Sequence, residues 1–440
     1  MSPGSHRNAL VAALGGFLFG FDTAVISGVE KSIQQLWSLD SFWHGFTVAA
    51  ALIGTVAGSL LAGAPSEKYG RKVMLQAIGL LYVVTSLVTA LTGSWLAFVI
   101  FRMLGGVGVG ASSVVGPMYI SEIAPAHNRG RLVALFQFNI VSGILLAFVS
   151  NYLLRDAGGE DAWRWMLGVQ AVPSLLFFTL VFFVPESPRW LALHGRDDEA
   201  RNVLKQIGEH EPEKAYAQIK ESVTVAGKES LFSGKYGKPI FYAFMLAVFN
   251  QLSGINAIMY YAPRIFEMTG LSKDSALLQA ISIGVTNMVF TLLAIQVIDR
   301  FGRRTLLIIG SFGMVVFLGL AAQAFFTGDF GGYLVMVCLI GFIAFFAFSQ
   351  GAVIWVFISE IFPNKVRSSG QTLGSGTHWV MAALVSWTFP VVVEGSPLGG
   401  AYAFAIFSVI MLLHLIFAWK VLPETKGQTL EGIQQSLGIH

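Results

Sequence analysis

Charged residues are scarce in this chain: Asp, Glu, Lys and Arg make up 12% of its 440 residues, whereas hydrophobic residues make up 55%. So little charge in so apolar a chain excludes an ordinary soluble protein. The net charge of +3 is small and does not indicate nucleic-acid binding. Cysteine is nearly absent too, because Cys338 is the single one and lies in an apolar span. No intramolecular disulfide can therefore form.

The sequence also lacks the short motifs of the common enzyme classes. It contains no Walker-type phosphate loop, no nucleophile elbow, no HExxH pattern and no histidine cluster with metal-ligand spacing. We therefore expect neither catalysis nor a bound metal or cofactor.

What the chain has instead is a series of long apolar segments. They are long enough for membrane-spanning helices, whereas the strands of a membrane barrel would be about half as long and alternating. The pattern predicts an all-α membrane protein with 12 transmembrane helices. We predict spans at residues 8–30, 43–64, 73–93, 95–123, 131–154, 164–184, 237–262, 275–298, 305–326, 332–361, 369–391 and 398–421. The first segment is too long for a signal-peptide core and should remain as a span.

Basic residues are distributed unevenly between the two sets of loops. With the N-terminus inside, the outer loops hold five: Lys31, Arg155, Arg164, Arg264 and Lys273. The inner segments, including the long central loop, hold all the others outside the spans. This bias predicts that both termini are cytoplasmic.

The chain repeats itself on either side of the central loop. ISEIAPAHNRG at 120–130 returns as ISEIFPNKVRSSG at 358–370, PSEKYGRKVML at 65 as VIDRFGRRTLL at 297, and PESPRW at 185 as PETKG at 423. The simplest account is a duplicated six-helix unit with a natural cavity between its halves. We predict an N-terminal half at 1–185, a cytoplasmic helical linker at 186–236 and a C-terminal half at 237–440.

Asp22 and Arg102 carry opposite charges deep inside the apolar spans. Asp22 lies about 14 residues into its span, or roughly 21 Å from one face at 1.5 Å per residue. Arg102 lies about 7 residues in from the other face, roughly 10 Å, so their depths agree in a core about 30 Å thick. We predict a pair whose acidic member carries a proton. The alternative is a static structural salt bridge.

FNQLSGINAIMYYAP, at 249–263, crowds polar side chains into an otherwise apolar span. Gly254 weakens the helix there, and irregular backbone at membrane depth is tolerated where it lines a cavity or is buried in protein. The amides of Asn250, Gln251 and Asn256 both donate and accept, which suits the hydroxyls of a sugar or polyol. Hydrogen bonding between helices is the alternative, but it explains three amides poorly.

In family order, FGFDTAVISG, EKYGRK with DRFGRR, PESPRW, QLSGINAIMYYAP and PETKG resemble the sugar porter family of the major facilitator superfamily. The resemblance covers essentially the whole chain. Its pattern is most similar to bacterial proton-coupled sugar symporters and, more distantly, to animal facilitative glucose transporters. The two-half architecture of this superfamily agrees with the repeat.

The resemblance implies roles for particular residues of this chain. The hydroxyl ligands would be Gln137, Gln251, Asn256 and Asn287. Trp355 and Trp379 would offer flat faces to the sugar ring, although packing is the more frequent role of a tryptophan in a span. Phe19 would close one side of the site, and Tyr260 and Tyr261 would act as an outer gate.

The chain departs from the family pattern at three positions, which leaves the identity of the sugar open. Asn250 stands where a glutamine is usual, and Ile144 replaces a glutamine of related symporters. His378 occupies a position of glutamine or asparagine. It is a candidate ligand or titrating group, and a satisfied neutral histidine is the alternative.

Charged residues at the inner helix ends have a different implied role, that of salt-bridge networks that hold the halves together when the outside is open. A plain positive-inside bias is the alternative, but it does not explain the repeated glutamates. The predicted members are Glu67, Arg71, Glu122, Arg129, Asp299, Arg303, Glu360 and Arg367.

The charged segment 197–223 is too polar to span the membrane. It predicts short helices at the cytoplasmic surface, or else a plain linker.

Together these features predict proton-coupled symport of a monosaccharide or polyol by alternating access, with Asp22 as the proton carrier. A proton-independent facilitator is the closest alternative, although facilitators of the family generally lack an acid at this position. A non-transporting sensor is a further one, but only 425–440 follows the PETKG glutamate. We expect the partners to be the sugar, a proton and the lipid bilayer of the plasma membrane, with no nucleic acid, and the protein to be a monomer.

Overall fold

The computed structural model describes residues 3–125, 129–209, 211–224, 229–363, 365–428 and 430–437, and within these ranges all regular structure is helical. The first helices are α1 (Pro3–Val25), α2 (Glu30–Leu36), α3 (Ser41–Leu61), α4 (Gly63–Tyr69), α5 (Arg71–Leu91), α6 (Trp95–Ile123), α7 (Arg129–Leu153), α8 (Ala162–Gly168), α9 (Ala171–Val181), α10 (Pro188–Leu193), α11 (Asp197–Gln206) and α12 (Pro212–Thr224). They are followed by α13 (Gly237–Leu252), α14 (Ile255–Tyr260), α15 (Ala262–Met268), α16 (Lys273–Phe301), α17 (Arg303–Thr327), α18 (Leu334–Phe348), α19 (Gln350–Ile361), α20 (Arg367–Glu394), α21 (Gly399–Lys420) and α22 (Leu430–Leu437).

Twelve helical segments in the described ranges are long and apolar enough to cross a membrane. Each coincides with one of the predicted spans, with bounds that differ by a few residues. Most are single helices, but the seventh runs from Gly237 to Tyr260 through the break between α13 and α14. The predicted helical membrane protein with twelve spans is confirmed.

The first compact unit comprises residues 1–25, 53–150 and 156–227. Its core is built from apolar faces of α1, α5, α6, α7 and α9, represented by Leu18, Leu75, Tyr119, Phe136 and Phe177. Each of these side chains is at most 5% exposed. This packing of α1 on α6 brings the middle of the first span beside the middle of the fourth.

The charged linker belongs to the first unit and is helical, as its sequence predicts. Its helices α11 and α12 bury Leu204 and Tyr216 against Trp190 of α10. Their outer faces carry ion pairs such as Arg201 with Glu213, at 3.1 Å. An apolar stripe on one side and charges on the other suit a helix pair that lies on a surface rather than in a membrane.

The second unit comprises residues 26–52, 151–155 and 228–440. Its core includes Leu246 of α13, Leu306 of α17, Phe357 of α19 and Phe417 of α21. Residues 26–52 come from the N-terminal half of the sequence but pack in this unit. The sequence halves and the compact units are therefore not identical.

Candidate functional site

A buried ion pair lies in the middle of the first unit. Arg102 Nη1 of α6 donates to Asp22 Oδ1 of α1 at 2.9 Å. The two residues are 3% and 7% exposed, respectively. In the described part of the chain, Arg102 Nε and Nη2 have no hydrogen-bond partner. A single contact thus joins the two charges, and protonation of the carboxylate would remove its ionic part.

The break in the seventh span is produced by glycine. Gly254 adopts φ +87°, in the left-handed region that other residues rarely occupy, and a Cβ there would collide with the ring of Phe407. Helix α13 therefore ends at Leu252 and α14 begins at Ile255. Ser253 Oγ donates to the carbonyl of Asn250 at 2.6 Å and covers one freed acceptor of the α13 end.

An amide cluster, formed by Asn250, Gln251, Asn256 and His378, surrounds this break. Gln251 Nε2 donates to Asn250 Oδ1 at 3.0 Å, and Asn256 Nδ2 donates to Gln251 Oε1 at 2.7 Å. Gln251 Nε2 also lies 3.0 Å from His378 Nε2. Asn250 and Gln251 are buried, whereas Asn256 is half-buried. The cluster is thus a chain of mutually satisfied polar groups with one accessible end.

Two tryptophans flank the histidine of the amide cluster. The ring centroids of Trp355 and Trp379 lie 4.9 Å and 4.8 Å from that of His378. Trp355 is 38% exposed and Trp379 only 6%. Trp355 therefore presents an accessible aromatic surface directly beside buried hydrogen-bonding groups.

The other residues predicted for the sugar site are on helices α1, α7 and α16. Asn287 is half-buried on α16, and no hydrogen bond within the described ranges joins it to the amides. Gln137 on α7 and Phe19 on α1 belong to the first unit, where both are half-buried. Ile144, the apolar departure on α7, is buried in the same unit.

The predicted gate tyrosines are both fully buried in the second unit. Tyr261 donates its hydroxyl hydrogen to the carbonyl of Ser386 at 3.2 Å and packs against Phe389. Its ring also meets that of His44 edge-on, with 5.8 Å between the centroids. Tyr260 is 1% exposed.

His44 leads into a polar cluster that the sequence did not indicate, here called the Glu30 network. His44 Nε2 lies 2.8 Å from Glu30 Oε2, and Arg264 Nε donates to Glu30 Oε1 at 2.9 Å. Arg264 Nη1 also donates to Glu394 Oε1 at 2.6 Å. Glu30 is 1% exposed and His44 fully buried. Glu30, His44 and Arg264 lie in or beside predicted loops, so the sequence offered no reason to expect them to be buried.

The Arg71 network closes one end of the first unit. Arg71 donates from Nε and Nη2 to the two oxygens of Glu122, at 2.8 Å and 2.9 Å. Glu186 accepts from the backbone N–H groups of Arg71 and Lys72, at 3.0 Å and 3.1 Å. Burial raises the pKa of the Glu186 carboxyl, although these backbone donors act in the opposite direction.

The Arg303 network repeats this arrangement in the second unit. Arg303 Nη2 donates to Glu360 Oε1 at 2.8 Å, Nη1 pairs with Asp299 at 2.9 Å, and its backbone N–H donates to Glu424 at 2.9 Å. Thr425 Oγ1 donates to the other oxygen of Glu360 at 2.6 Å. The duplicated sequence motifs thus form duplicated ion networks.

A glycine precedes the arginine in each network. Gly70 and Gly302 have φ angles of +97° and +90°. At either position a Cβ would collide with the carboxylate, Glu186 or Glu424, that caps the following helix. Glycine is therefore needed both for the backbone conformation and for the approach of the carboxylate.

Two predicted members of these networks, Glu67 and Arg367, need correction. The Glu67 side chain is exposed and has no ion pair in the described ranges, and only its carbonyl takes part, accepting from Trp190 Nε1 at 2.7 Å. Arg367 Nε donates to the carbonyl of Phe362 at 3.3 Å rather than to a carboxylate. The Arg129 side chain lies outside the described residues. Glu186 and Glu424, which were not predicted, are acidic members of the two networks. The Pro-Glu pair that occurs at the end of each sequence half was the feature that could have indicated them.

Comparison with known proteins gives consistent matches across both units. A family model described as "Sugar (and other) transporter" matches residues 8–437. The chain is similar to the D-xylose-proton symporter of Escherichia coli strain K12, with 38% identity over 462 residues, covering 97% of this chain and 94% of that protein. It is 36% identical to the arabinose-proton symporter of Bacillus subtilis strain 168, over 96% of this chain and 93% of that protein. A solved structure of the inward-open xylose transporter XylE from E. coli matches with a TM-score of 0.88 and 37% identity, covering 97% of this chain and 98% of that chain.

The burial of the Glu30 network predicts a stability effect. Glu30→Gln keeps the size of the side chain but removes the buried charge that faces both Arg264 and His44. We expect the free energy of unfolding to fall by about 3 kcal/mol, which is the lower end of the range for breaking a buried ion pair. The midpoint of thermal unfolding in detergent should fall as well. The matched control is Lys31→Gln, which removes an ion pair between Glu267 and a half-exposed lysine. That pair should contribute about 0–1 kcal/mol, so equal midpoints for the two variants would contradict a structural role for the network.

Proposed function

Because the chain belongs to the sugar-transporter family, we propose that it is a secondary active symporter that moves a monosaccharide or related polyol together with a proton. The observation that carries this proposal is the buried pair of Asp22 with Arg102, at 2.9 Å. An unpaired charge at the centre of a spanning helix costs about 2.5–3.5 kcal/mol on an insertion scale. While Arg102 is in contact with it, the carboxylate of Asp22 is stabilised as an anion. When Arg102 moves away, protonation removes the cost of an unpaired charge.

The coupling follows from these two stable forms. Protonation of Asp22 removes the ionic contact with Arg102 and allows the first unit to rearrange once sugar is bound. Deprotonation on the other side of the membrane restores the pair. One proton moving through 100 mV supplies about 2.3 kcal/mol. Since about 1.4 kcal/mol corresponds to a tenfold ratio, this supports roughly fifty-fold accumulation of sugar.

The amide cluster of the second unit is our candidate for sugar recognition. Its amides already exchange hydrogen bonds with one another, so a sugar hydroxyl entering at Asn256 can replace an existing partner without leaving a buried group unpaired. The accessible face of Trp355 would stack on the apolar C–H surface of the ring. Asn287, Gln137 and Phe19 remain candidates from the family resemblance.

We place both termini, the linker and the two arginine networks on the cytoplasmic side of the plasma membrane. The support is the excess of basic residues in the loops on that side. The Glu30 network then lies at the outer ends of the helices, next to the buried gate tyrosines. Breaking a buried ion pair costs about 3–5 kcal/mol, so networks of this kind are sufficient to bias a near-balanced equilibrium between outward-open and inward-open states.

The role of Asp22 is tested by Asp22→Asn in proteoliposomes with an imposed proton gradient. We expect accumulation of sugar and sugar-dependent proton flux to be lost, while sugar exchange at equal concentrations stays measurable, because the neutral side chain mimics the protonated carboxyl. The flux is recorded for a panel of hexoses, pentoses and inositols. The matched control is Glu67→Gln, whose exposed carboxylate has no ion pair in the described ranges.

Full accumulation by Asp22→Asn would exclude Asp22 as the proton carrier. If the unaltered protein instead equilibrates sugar without moving protons, it is a facilitator and the proposal of symport is wrong.

The amide cluster is tested by Gln251→Leu, which removes the central member and leaves Asn250 and Asn256 without their partner. A lost hydrogen bond that leaves buried groups unsatisfied corresponds to about 1–3 kcal/mol, so we expect the KM for sugar to rise about 5- to 150-fold. Gln323→Leu, at an exposed position on α17, serves as the control. An unchanged KM for Gln251→Leu would remove the cluster from the sugar site.

A further inference from the structure

Buried polar atoms without partners line one face of α1 in the first unit. Asn8, Gly15 and Asp22 are seven residues apart, close to two helical turns each, and so share a face. Asn8 is 3% exposed, and its Oδ1 has no partner in the described ranges. Gly15 has no side chain of its own, and Ser112 Oγ of α6 lies 2.7 Å from where its Cβ would be. Polar groups thus recur along α1 from mid-membrane to its N-terminal end.

Tyr82 of α5 connects this face to the ion pair. The ring of Tyr82 packs beside Gly108, one turn before Ser112 on α6. Its side chain faces Ser112 and interacts electrostatically with Asp22. Tyr82 and Ser112 are both fully buried, and their hydroxyls have at most each other as a hydrogen-bond partner among the described residues.

Hydroxyls of this kind are rarely left unsatisfied. Buried polar atoms are nearly always bonded to protein or to ordered water, and a buried water usually has about three polar partners. Tyr82 OH, Ser112 Oγ, Asn8 Oδ1 and the two unpaired nitrogens of Arg102 are available as partners for water at successive depths of the unit. Because α1 rises about 21 Å from Asn8 to Asp22, several waters rather than one would be needed to join them. Asp22 and Arg102 are the charged groups facing Tyr82 from α1 and α6. Helix α9, which packs Phe177 against Gly15, contains no titratable residue.

We propose that these groups form a hydrated proton route that leads from Asp22, past Tyr82 and Ser112, towards Asn8 at the N-terminal end of α1. The Tyr82 oxygen takes up a proton from the donor hydrogen-bonded to it while its own O–H proton passes to the next acceptor, so the side chain is unchanged after each transfer. The proton released by Asp22 then leaves within the first unit and does not need to pass the amide cluster. The route rests on the proposed symport, whose proton it would carry.

The kinetic test compares Tyr82→Phe, Ser112→Ala and the double variant in proteoliposomes. We expect the rate of proton-driven uptake to fall at least about tenfold in the double variant. This is a conservative threshold, because a positioned proton-transfer group usually contributes about 100-fold or more. Sugar counterflow, during which Asp22 can stay protonated, should remain within about twofold of the unaltered protein. Ser113→Ala is the matched control, because the neighbouring Ser113 hydroxyl already donates to the carbonyl of Gly110 at 2.7 Å.

The outcomes separate this route from the symport itself. Unchanged uptake in the double variant overturns the route, and so does an equal fall in uptake and counterflow, which indicates a merely structural role. If the unaltered protein shows no proton-driven uptake, the symport proposal fails first.

A second measurement tests hydration directly. In X-ray radiolytic footprinting of the unaltered protein, hydroxyl radicals formed from ordered internal water oxidise adjacent tyrosines. We expect Tyr82 to be oxidised although it is fully buried. Tyr119 is equally buried but donates to the carbonyl of Pro185 at 2.7 Å, so it should stay unmodified. Oxidation of Tyr82 no greater than that of Tyr119 overturns the proposal.

Discussion

The contact between Asp22 and Arg102 is the interaction on which the proposed coupling of proton and sugar depends. Charge is rare in the spanning segments because it is expensive there, so an acid and a base at one depth require each other. They are joined at 2.9 Å in the core formed by α1 and α6. The pair is limited to one hydrogen bond, from Arg102 Nη1 to Asp22 Oδ1. In the proposed mechanism, a proton that binds Asp22 therefore acts on a single contact and changes the net charge of the first unit.

The second unit supplies the complementary property, a neutral polar surface inside an apolar bundle. Gly254 ends a helix at membrane depth, and the freed region is occupied by amides that satisfy one another. Such a surface exchanges partners readily, since each group both donates and accepts. Repetition of Gly70, Arg71 and Glu186 as Gly302, Arg303 and Glu424 shows that one arrangement serves in both units.

The spans and the buried ion pair were predictable from the sequence, because a membrane requires long apolar helices and makes unpaired charge costly. Twelve spans follow from length and apolarity, and Asp22 and Arg102 follow from counting residues to a common depth. Glu67 and Arg367 were predicted to be members of the ion networks but form no ion pair in the described ranges, since a motif places charges near each other without choosing the pairs. Glu186 was overlooked because Pro-Glu after a span resembles an ordinary loop. Glu30 is buried between His44 and Arg264, and Arg264 is more than two hundred residues away, so no local pattern reveals this burial.

The most direct test of the central claim is infrared difference spectroscopy of the reconstituted protein, triggered by a transported sugar. If Asp22 takes up the transported proton, sugar binding increases the C=O stretch of a protonated carboxyl group. This band should be absent in Asp22→Asn, while the amide changes caused by sugar remain. A carboxyl band of equal size in Asp22→Asn would show that the proton resides on another residue and would contradict the account.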